Sequence, residues 1–153
     1  MSSIATRCLP FSALTVQEWH DIVRLRVDVF VVEQNCVYPE IDGRDPDAQH
    51  MLGYARGRLI AYARIILPKH AAGVFHIGRV VLRKSHRNGG RGTDIMRACL
   101  RWIWNLDVYA TVCVQAQAHL QAWYEDLGFH CISEEPYDWD GILHVDMEVR
   151  GKG

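Results

Sequence analysis

The chain of 153 residues carries 17 Lys and Arg against 18 Asp and Glu, a formal net charge of −1, and 49% of it is hydrophobic. That length suits one domain, residues 1–153, and that apolar content with so small a net charge excludes a disordered chain. It also disfavours a general nucleic-acid coat, which needs excess positive charge to displace counterions, and no apolar run nears the ~18 residues of a membrane span.

Met1–Pro10 holds one basic residue and no apolar signal-peptide core. Thr15-Val16-Gln17-Glu18 has the spacing of a capping box, with Leu14 and Trp19 placed for a hydrophobic staple. Trp19, Ile22, Val23 and Phe30 recur at helical spacing and the pattern fades near Val32. Residues 33–49 are polar, with two prolines and five acids, and a segment of this kind often serves as a binding lid. From His50 the period changes: residues 50–56 and 58–67 read as a hairpin turning at Arg56-Gly57-Arg58, and Val74–Leu82 as a buried strand rich in β-branched residues. An amphipathic helix follows Gly92, with Ile95, Met96, Cys99, Leu100, Trp102 and Ile103 on one face. Val108–Ala116 reads as another buried strand, His119–Leu127 as a short helix closed by Gly128, and Phe129–Ser133 and Ile142–Val149 as the last strands. The order β, α, three strands, α, β, α, two strands argues for a mixed sheet with helices on its faces.

Eight histidines raise the question of a metal. None has another His three or four positions away and no Cys-x-x-Cys occurs, so no metal site is expected. The five cysteines are odd in number and sit in apolar stretches, which suits reduced thiols in a cytoplasmic protein.

The strand–glycine loop–helix unit at 74–104 carries the chemistry. Glycines remove the Cβ atoms that keep an anion off the backbone, and the N–H groups of residues 87–93 can converge on a phosphate at the positive end of the next helix. Arg83, Lys84, Arg87 and Arg91 add positive charge, whereas Asp94 in the first turn opposes a phosphate unless it points away. Neither the P-loop pattern nor Gly-x-Gly-x-x-Gly is present.

Arg87-Asn88-Gly89-Gly90-Arg91-Gly92 resembles the Gln/Arg-x-x-Gly-x-Gly/Ala signature of the Gcn5-related N-acetyltransferases (GNAT), and 116–129 resembles that family's later helix, which carries a Tyr and ends in Leu-Gly-Phe. Residues 25–45, 76–81, 116–124 and 140–147 are similar to its ElaA branch, so the likeness spans nearly the whole chain in order. The resemblance implies a single-domain α+β (mixed α/β) GNAT fold. Its sheet would be mixed, mostly antiparallel and twisted, with about seven strands, splayed between the fourth and fifth and flanked by helices. It implies acetyl-CoA as co-substrate, with the backbone of Val80, Val81 and Leu82 pairing with pantetheine and the amides of Arg87, Asn88, Gly89, Gly90, Arg91, Gly92 and Thr93 holding the pyrophosphate. Gln117 stands where relatives often have an Asn that bonds the pantetheine arm. Tyr124 matches the tyrosine that resembles a general acid for the departing thiolate.

The base is open between His76, at an offset where histone-modifying relatives place a glutamate, and the runners-up Glu33 and His144. Each His or Glu here can take a proton from an amine directly or through water. Arg79 would pair with Glu33, hold a substrate carboxylate or make a structural ion pair. The expected reaction is direct attack of a primary amine on the thioester through a tetrahedral intermediate, with no covalent enzyme intermediate and no metal. Glu33, Glu40, Asp42, Asp45 and Asp47 would form part of the acceptor site and favour a cationic amine such as a polyamine, an aminoglycoside-like amine or a lysine side chain. The partner expected is a small-molecule or peptide amine, with no nucleic acid and no membrane, and a homodimer stays open. The alternatives are a non-catalytic acyl-CoA sensor on the same fold, since fold does not establish activity, and a small RNA-binding domain using residues 83–91.

Overall fold

The computed structural model describes residues 4–70 and 73–153; Met1–Ser3, part of the stretch read for a signal peptide, lie outside them. Strand β1 (Ala5–Pro10) precedes helix α1 (Val16–Arg26), whose start is the expected capping box. The Glu18 N–H donates to Thr15 Oγ1 at 3.0 Å and the Thr15 N–H to Glu18 Oε1 at 2.8 Å. The helix continues as a π-helical segment, Val27–Glu33, where four valines weaken ordinary α-helical packing. Then come β2 (Gln49–Ala55), β3 (Arg58–Ile66) and β4 (Phe75–Leu82), the glycine loop, and α2 (Arg91–Leu106). After it lie β5 (Thr111–Gln117), α3 (Gln121–Asp126), β6 (His130–Cys131), β7 (Tyr137–Trp139) and β8 (Ile142–Arg150). Alternation is too short at Tyr137–Trp139 to announce β7, which makes the sheet eight-stranded where about seven strands were expected. The helix expected over 119–127 opens as a 3-10 turn, Ala118–Leu120, before α3 proper.

The sheet order is β1-β2-β3-β4-β5-β8-β6 with β7 on β8, antiparallel throughout except for the parallel pair β4–β5. The apolar stripe of α2 (Ile95, Met96, Cys99, Ile103) packs on one face with Ile77, Val112, Val114 and Met147. On the other face Ile22, Leu25 and Val29 cover Leu52, Leu59, Tyr62 and Val81. Only the N-terminal half of that second face is covered by α1. Over β5 and β8 it stays open and polar, because Cys113, Gln115, Gln117, His144, Asp146 and Glu148 all alternate with core residues.

One residue changes the phase of β4. Arg64 faces Gly78 but Tyr62 faces Val81, so β4 has one residue more than β3, and the bulge sits at Arg79 (φ +51°). Phe75 and Ile77 therefore point at α2, whereas Val81 points at α1. Without the bulge Arg79 would drive a guanidinium into the α2 core. With it, Arg79 Nε donates to Glu40 Oε2 at 2.7 Å and Nη2 lies 3.4 Å from Asp42 Oδ2.

That contact joins a buried network. Arg26 Nε donates to Glu40 and Nη1 to Asp45, both at 2.7 Å, while Arg64 reaches Asp42 at 2.7 Å and Asp45 at 3.1 Å. Three guanidiniums meet three carboxylates, so the buried charges cancel. The acids of 33–49 were expected to face a cationic acceptor, and here the structure corrects the sequence reading: Glu40, Asp42 and Asp45 neutralise Arg26, Arg64 and Arg79 and pin the segment to the sheet. Arg79 likewise meets Glu40 and Asp42, not Glu33. Each of these acids lies 14–39 residues in sequence from its arginine, a separation that local spacing does not reveal.

Acid should loosen this region. His50 is fully buried, its ring nitrogens 2.7 Å from Tyr62 Oη and 3.0 Å from the Asp45 carbonyl. Burial lowers its pKa, opposed by the bond to Asp45. The Asp42 carboxyl is also held low: its partial burial, which raises it, is outweighed by hydrogen bonds from Arg64 and the Arg44 N–H. Both folded-state values lie below the unfolded ones, so each contribution is present above the unfolded pKa and lost as pH falls. The melting temperature should drop on acidification below about 6.5 and again below about 4. Thermal scans that stay flat from neutrality to below that second step would contradict this.

Candidate active site

The site starts where two strands part. β4 and β5 pair only from Phe75/Val112 to Ile77/Val114. Beyond that point Val80, Val81 and Leu82 keep β3 on one side but have no strand on the other, and Gln115–Gln117 of β5 keep only β8. Two facing edges of backbone N–H and C=O thus line a wedge, and such groups require polar partners. Gln117 ends β5 at the mouth of this wedge, half-buried.

The glycine loop closes one end. Asn88 (φ +67°) and Gly90 (φ +77°) take left-handed backbone and turn the chain into α2, with Gly90 as N-cap. No side chain caps α2, so the N–H groups of Arg91, Gly92 and Thr93 at its positive end have no intrahelical partner. A Cβ on Gly90 would meet nothing within 4 Å, so the space in front of these amides is open to an anion. Asp94 points elsewhere, lining a shallow polar depression with Thr6, Arg97 and Arg101. The Arg87 side chain also turns from the loop, to Glu33 and to the Leu82 carbonyl. Arg91 Nη1 donates to the His86 carbonyl.

Helix α3 closes the other side. Gly128 (φ +101°) ends it: the Gly128 N–H donates to Glu125 O and the Phe129 N–H to Tyr124 O, a Schellman cap. Tyr124 is 6% exposed, edge-on to Trp123 and Phe129, and its hydroxyl has no hydrogen-bond partner among the described residues. Burial pushes its pKa up to about 12, so it stays a proton donor at neutrality. Trp123, which sequence reasoning passed over, lies 3.4 Å from where a Gly92 Cβ would be, and its Nε1 donates to Thr93 Oγ1 at 3.3 Å. It fastens α3 to the start of α2. Its one sequence signal is adjacency to Tyr124.

The open sheet face lies across the wedge from Tyr124. His76 is exposed there, paired with Cys113, and Gly78 beside it leaves open space. Partial burial and the positive charge of Arg44 lower the His76 pKa, against a weaker pull from Asp146, so the imidazole is neutral at pH 7. Tyr137 Oη donates to Asp146 Oδ1 at 2.6 Å, the Asp146 N–H donates to Ser133 Oγ, and the Tyr137 ring stacks on His144. His144 Nδ1 lies 2.8 Å from the Ile142 carbonyl. Cys36 Sγ reaches the Asp140 carbonyl at 3.7 Å, so the 34–48 segment and the β7–β8 turn meet across this face. Of the proposed site residues, the fold brings Val80–Leu82, the 87–93 loop, Gln117 and Tyr124 to one wedge, and His76 lies just before it, where β4 and β5 still pair. Glu33 and Arg79 are engaged in ion pairs. Asp146 and Arg44, whose charges act on His76, and Tyr137, which donates to Asp146, were not picked out from sequence. From Trp102 to Val149 the chain has nine acids and no Lys or Arg, a signal legible in composition that marks this half as acidic.

A mixed sheet parted at its single parallel pair, with an uncapped helix N-terminus beside the gap, is the architecture of acyltransferases that draw on coenzyme A thioesters. The chain belongs to the GNAT acetyltransferase family, whose domain model, described as "Acetyltransferase (GNAT) domain", matches residues 19–150. Protein ElaA of Escherichia coli is 38% identical over 141 residues, 91% of this chain and 92% of that protein, and its crystal structure superposes with a TM-score of 0.88 at 37% identity, covering 95% of this chain and 98% of the other. An acyl-CoA N-acyltransferase from Pseudomonas aeruginosa is as near, with a TM-score of 0.88, 38% identity, and 95% and 99% of the chains covered. An aminoglycoside 6′-N-acetyltransferase complexed with coenzyme A shares the fold alone, at 12% identity and a TM-score of 0.73 over 94% of this chain and 96% of the other. Among the described residues no group of His, Cys, Asp and Glu is arranged to hold a metal, all five cysteines are free, and no helix is long and apolar enough to cross a membrane.

Proposed function

We propose that the protein transfers an acetyl group from acetyl-CoA to a primary amine by direct attack. The observation that carries the reading is the parting of β4 and β5 beside the uncapped start of α2. Coenzyme A fits these residues. The unpaired edges at Val80–Leu82 and Gln115–Gln117 match the amides of a pantetheine arm, with the Gln117 side chain near them. The open amides from Arg87 to Thr93 match a pyrophosphate. The coenzyme A complex of the aminoglycoside 6′-N-acetyltransferase, a protein of the same fold, supports this assignment.

Catalysis then needs two proton positions. An amine is protonated at neutral pH, and neutral His76 on the open face takes that proton, directly or through water. Backbone N–H groups at the bulge of β4 stabilise the oxyanion of the tetrahedral intermediate. Tyr124, protonated at pH 7 and approaching from the other face, gives its proton to the departing thiolate and regains one from the nitrogen of the tetrahedral intermediate, which must shed its second proton as the amide forms. The acceptor reaches His76 over the acidic half of the sheet, past Asp146 and Tyr137, which favours a cationic amine and moves that preference from the 33–49 acids to β7 and β8. The protein's five free cysteines suit the reducing cytoplasm as the place of action.

Calorimetric titration with acetyl-CoA, followed by thiol release with a panel of primary amines, tests the reading. Binding with turnover of at least one amine is expected; binding without thiol release from any amine would favour a non-catalytic acyl-CoA sensor. With an active amine in hand, the acid limb of the kcat/KM profile should follow a group titrating below about 6.5 and disappear in His76→Ala. An identical acid limb in both proteins would remove His76 as base.

A further inference from the structure

We propose that Glu33 is a positioning residue for coenzyme binding, which holds the phosphate loop in its receptive shape through Arg87 and does not touch the amine. The inference rests on the coenzyme site proposed above and adds a second structural element to it.

Arg87 opens the loop whose amides face the anion, yet its guanidinium leaves the loop altogether. Nη1 and Nη2 donate to the two carboxylate oxygens of Glu33 at 2.6 and 3.0 Å, and Nε donates to the Leu82 carbonyl at 3.1 Å. Such a fork fixes orientation as well as distance. Its two ends are far apart in sequence but meet at a junction of three elements: the last residue of β4, the last residue of the π-helical segment, and the first residue of the loop. Glu33 is itself held firmly. The segment that follows it is pinned by Arg26, Arg64 and Arg79 through Glu40, Asp42 and Asp45, and the helix before it is packed on the sheet by Leu25 and Val29.

The loop needs such a tie. Asn88, Gly89 and Gly90 have two left-handed residues among them and little side-chain packing, so the chain there has many alternatives to the conformation that aims its amides together. Anchoring Arg87 on one side, with Arg91 Nη1 on the His86 carbonyl at the other, removes much of that freedom before the ligand arrives. The Arg87 hydrogen bond keeps the Glu33 carboxyl below its usual range, so the pair is intact at neutral pH. Both side chains are about one-third exposed. A pair of that exposure adds little to global stability, which separates its local effect from folding.

Glu33→Gln in the full chain keeps the shape and removes the charge. Calorimetry should show a coenzyme A Kd about three- to five-fold weaker, and NMR relaxation should show lower amide order parameters at 87–92 in the free protein, with melting nearly unchanged. With an active amine, KM for acetyl-CoA should rise in step with Kd while kcat and the KM for the amine hold. Arg87→Lys, which keeps the charge but loses the fork, should show the same changes to a smaller degree. Unchanged order parameters at 87–92 in both variants would overturn the proposal. So would an unchanged Kd, or a raised KM for the amine alone, which would place Glu33 at the acceptor. Wild-type protein that does not bind coenzyme A would refute the function proposed above, while the order parameters would still decide whether Glu33 orders the loop.

Discussion

Gly90→Glu is expected to abolish coenzyme A binding while leaving a folded protein. Gly90 holds φ +77° at the N-cap of α2, where a residue with a Cβ is strained by about 1–2 kcal/mol. A Cβ there meets no atom of the described residues within 4 Å, so the new side chain starts in open space. The carboxylate would occupy the space in front of the α2 amides, satisfy those donors itself and repel a phosphate. Gly90→Ala separates the two effects: it carries the backbone strain without the charge and should weaken binding far less. Calorimetric titration of both variants with coenzyme A checks this, and normal affinity in Gly90→Glu would sink the phosphate assignment of the loop.

Tyr124→Phe should lower kcat by about 100-fold or more and leave the coenzyme A Kd within error, because general acid catalysis contributes on that scale. The substitution is close to isosteric in the core. The ring keeps its edge-on packing with Trp123 and Phe129, and no protein hydrogen bond to the hydroxyl is lost among the described residues. A structural role for the hydroxyl would therefore show as lower melting with unchanged kcat. A catalytic role shows as lower kcat with unchanged melting. Steady-state rates beside thermal scans distinguish them, and an unchanged kcat removes Tyr124 as the acid.

Much of the wedge was legible in sequence because its parts are local. The turn at Asn88–Gly90, the uncapped helix after it and the Schellman glycine after Tyr124 are each specified within a few residues. The capping box at Thr15 is local in the same way. What stayed hidden depends on distance along the chain. The carboxylates of Glu40, Asp42 and Asp45 looked free because nothing near them in sequence neutralises them; Arg26, Arg64 and Arg79 do so only once α1, β3 and β4 converge. The bulge at Arg79 was equally hidden, since one extra residue in a strand leaves composition and alternation almost untouched while reversing which face every later side chain takes.

The balanced charge therefore divides differently from its first appearance. Sequence by itself determined the end proposed to bind the anion: a glycine loop and helix N-terminus act through backbone amides, whose direction follows from local dihedral angles. Only the tertiary structure decided which acids stay free for the acceptor proposed above, because a carboxylate's availability depends on which cation lies within hydrogen-bonding reach. Packing engaged Glu33, Glu40, Asp42 and Asp45 with arginines and left Asp146 and Glu148 on the open face, Asp146 within electrostatic reach of His76.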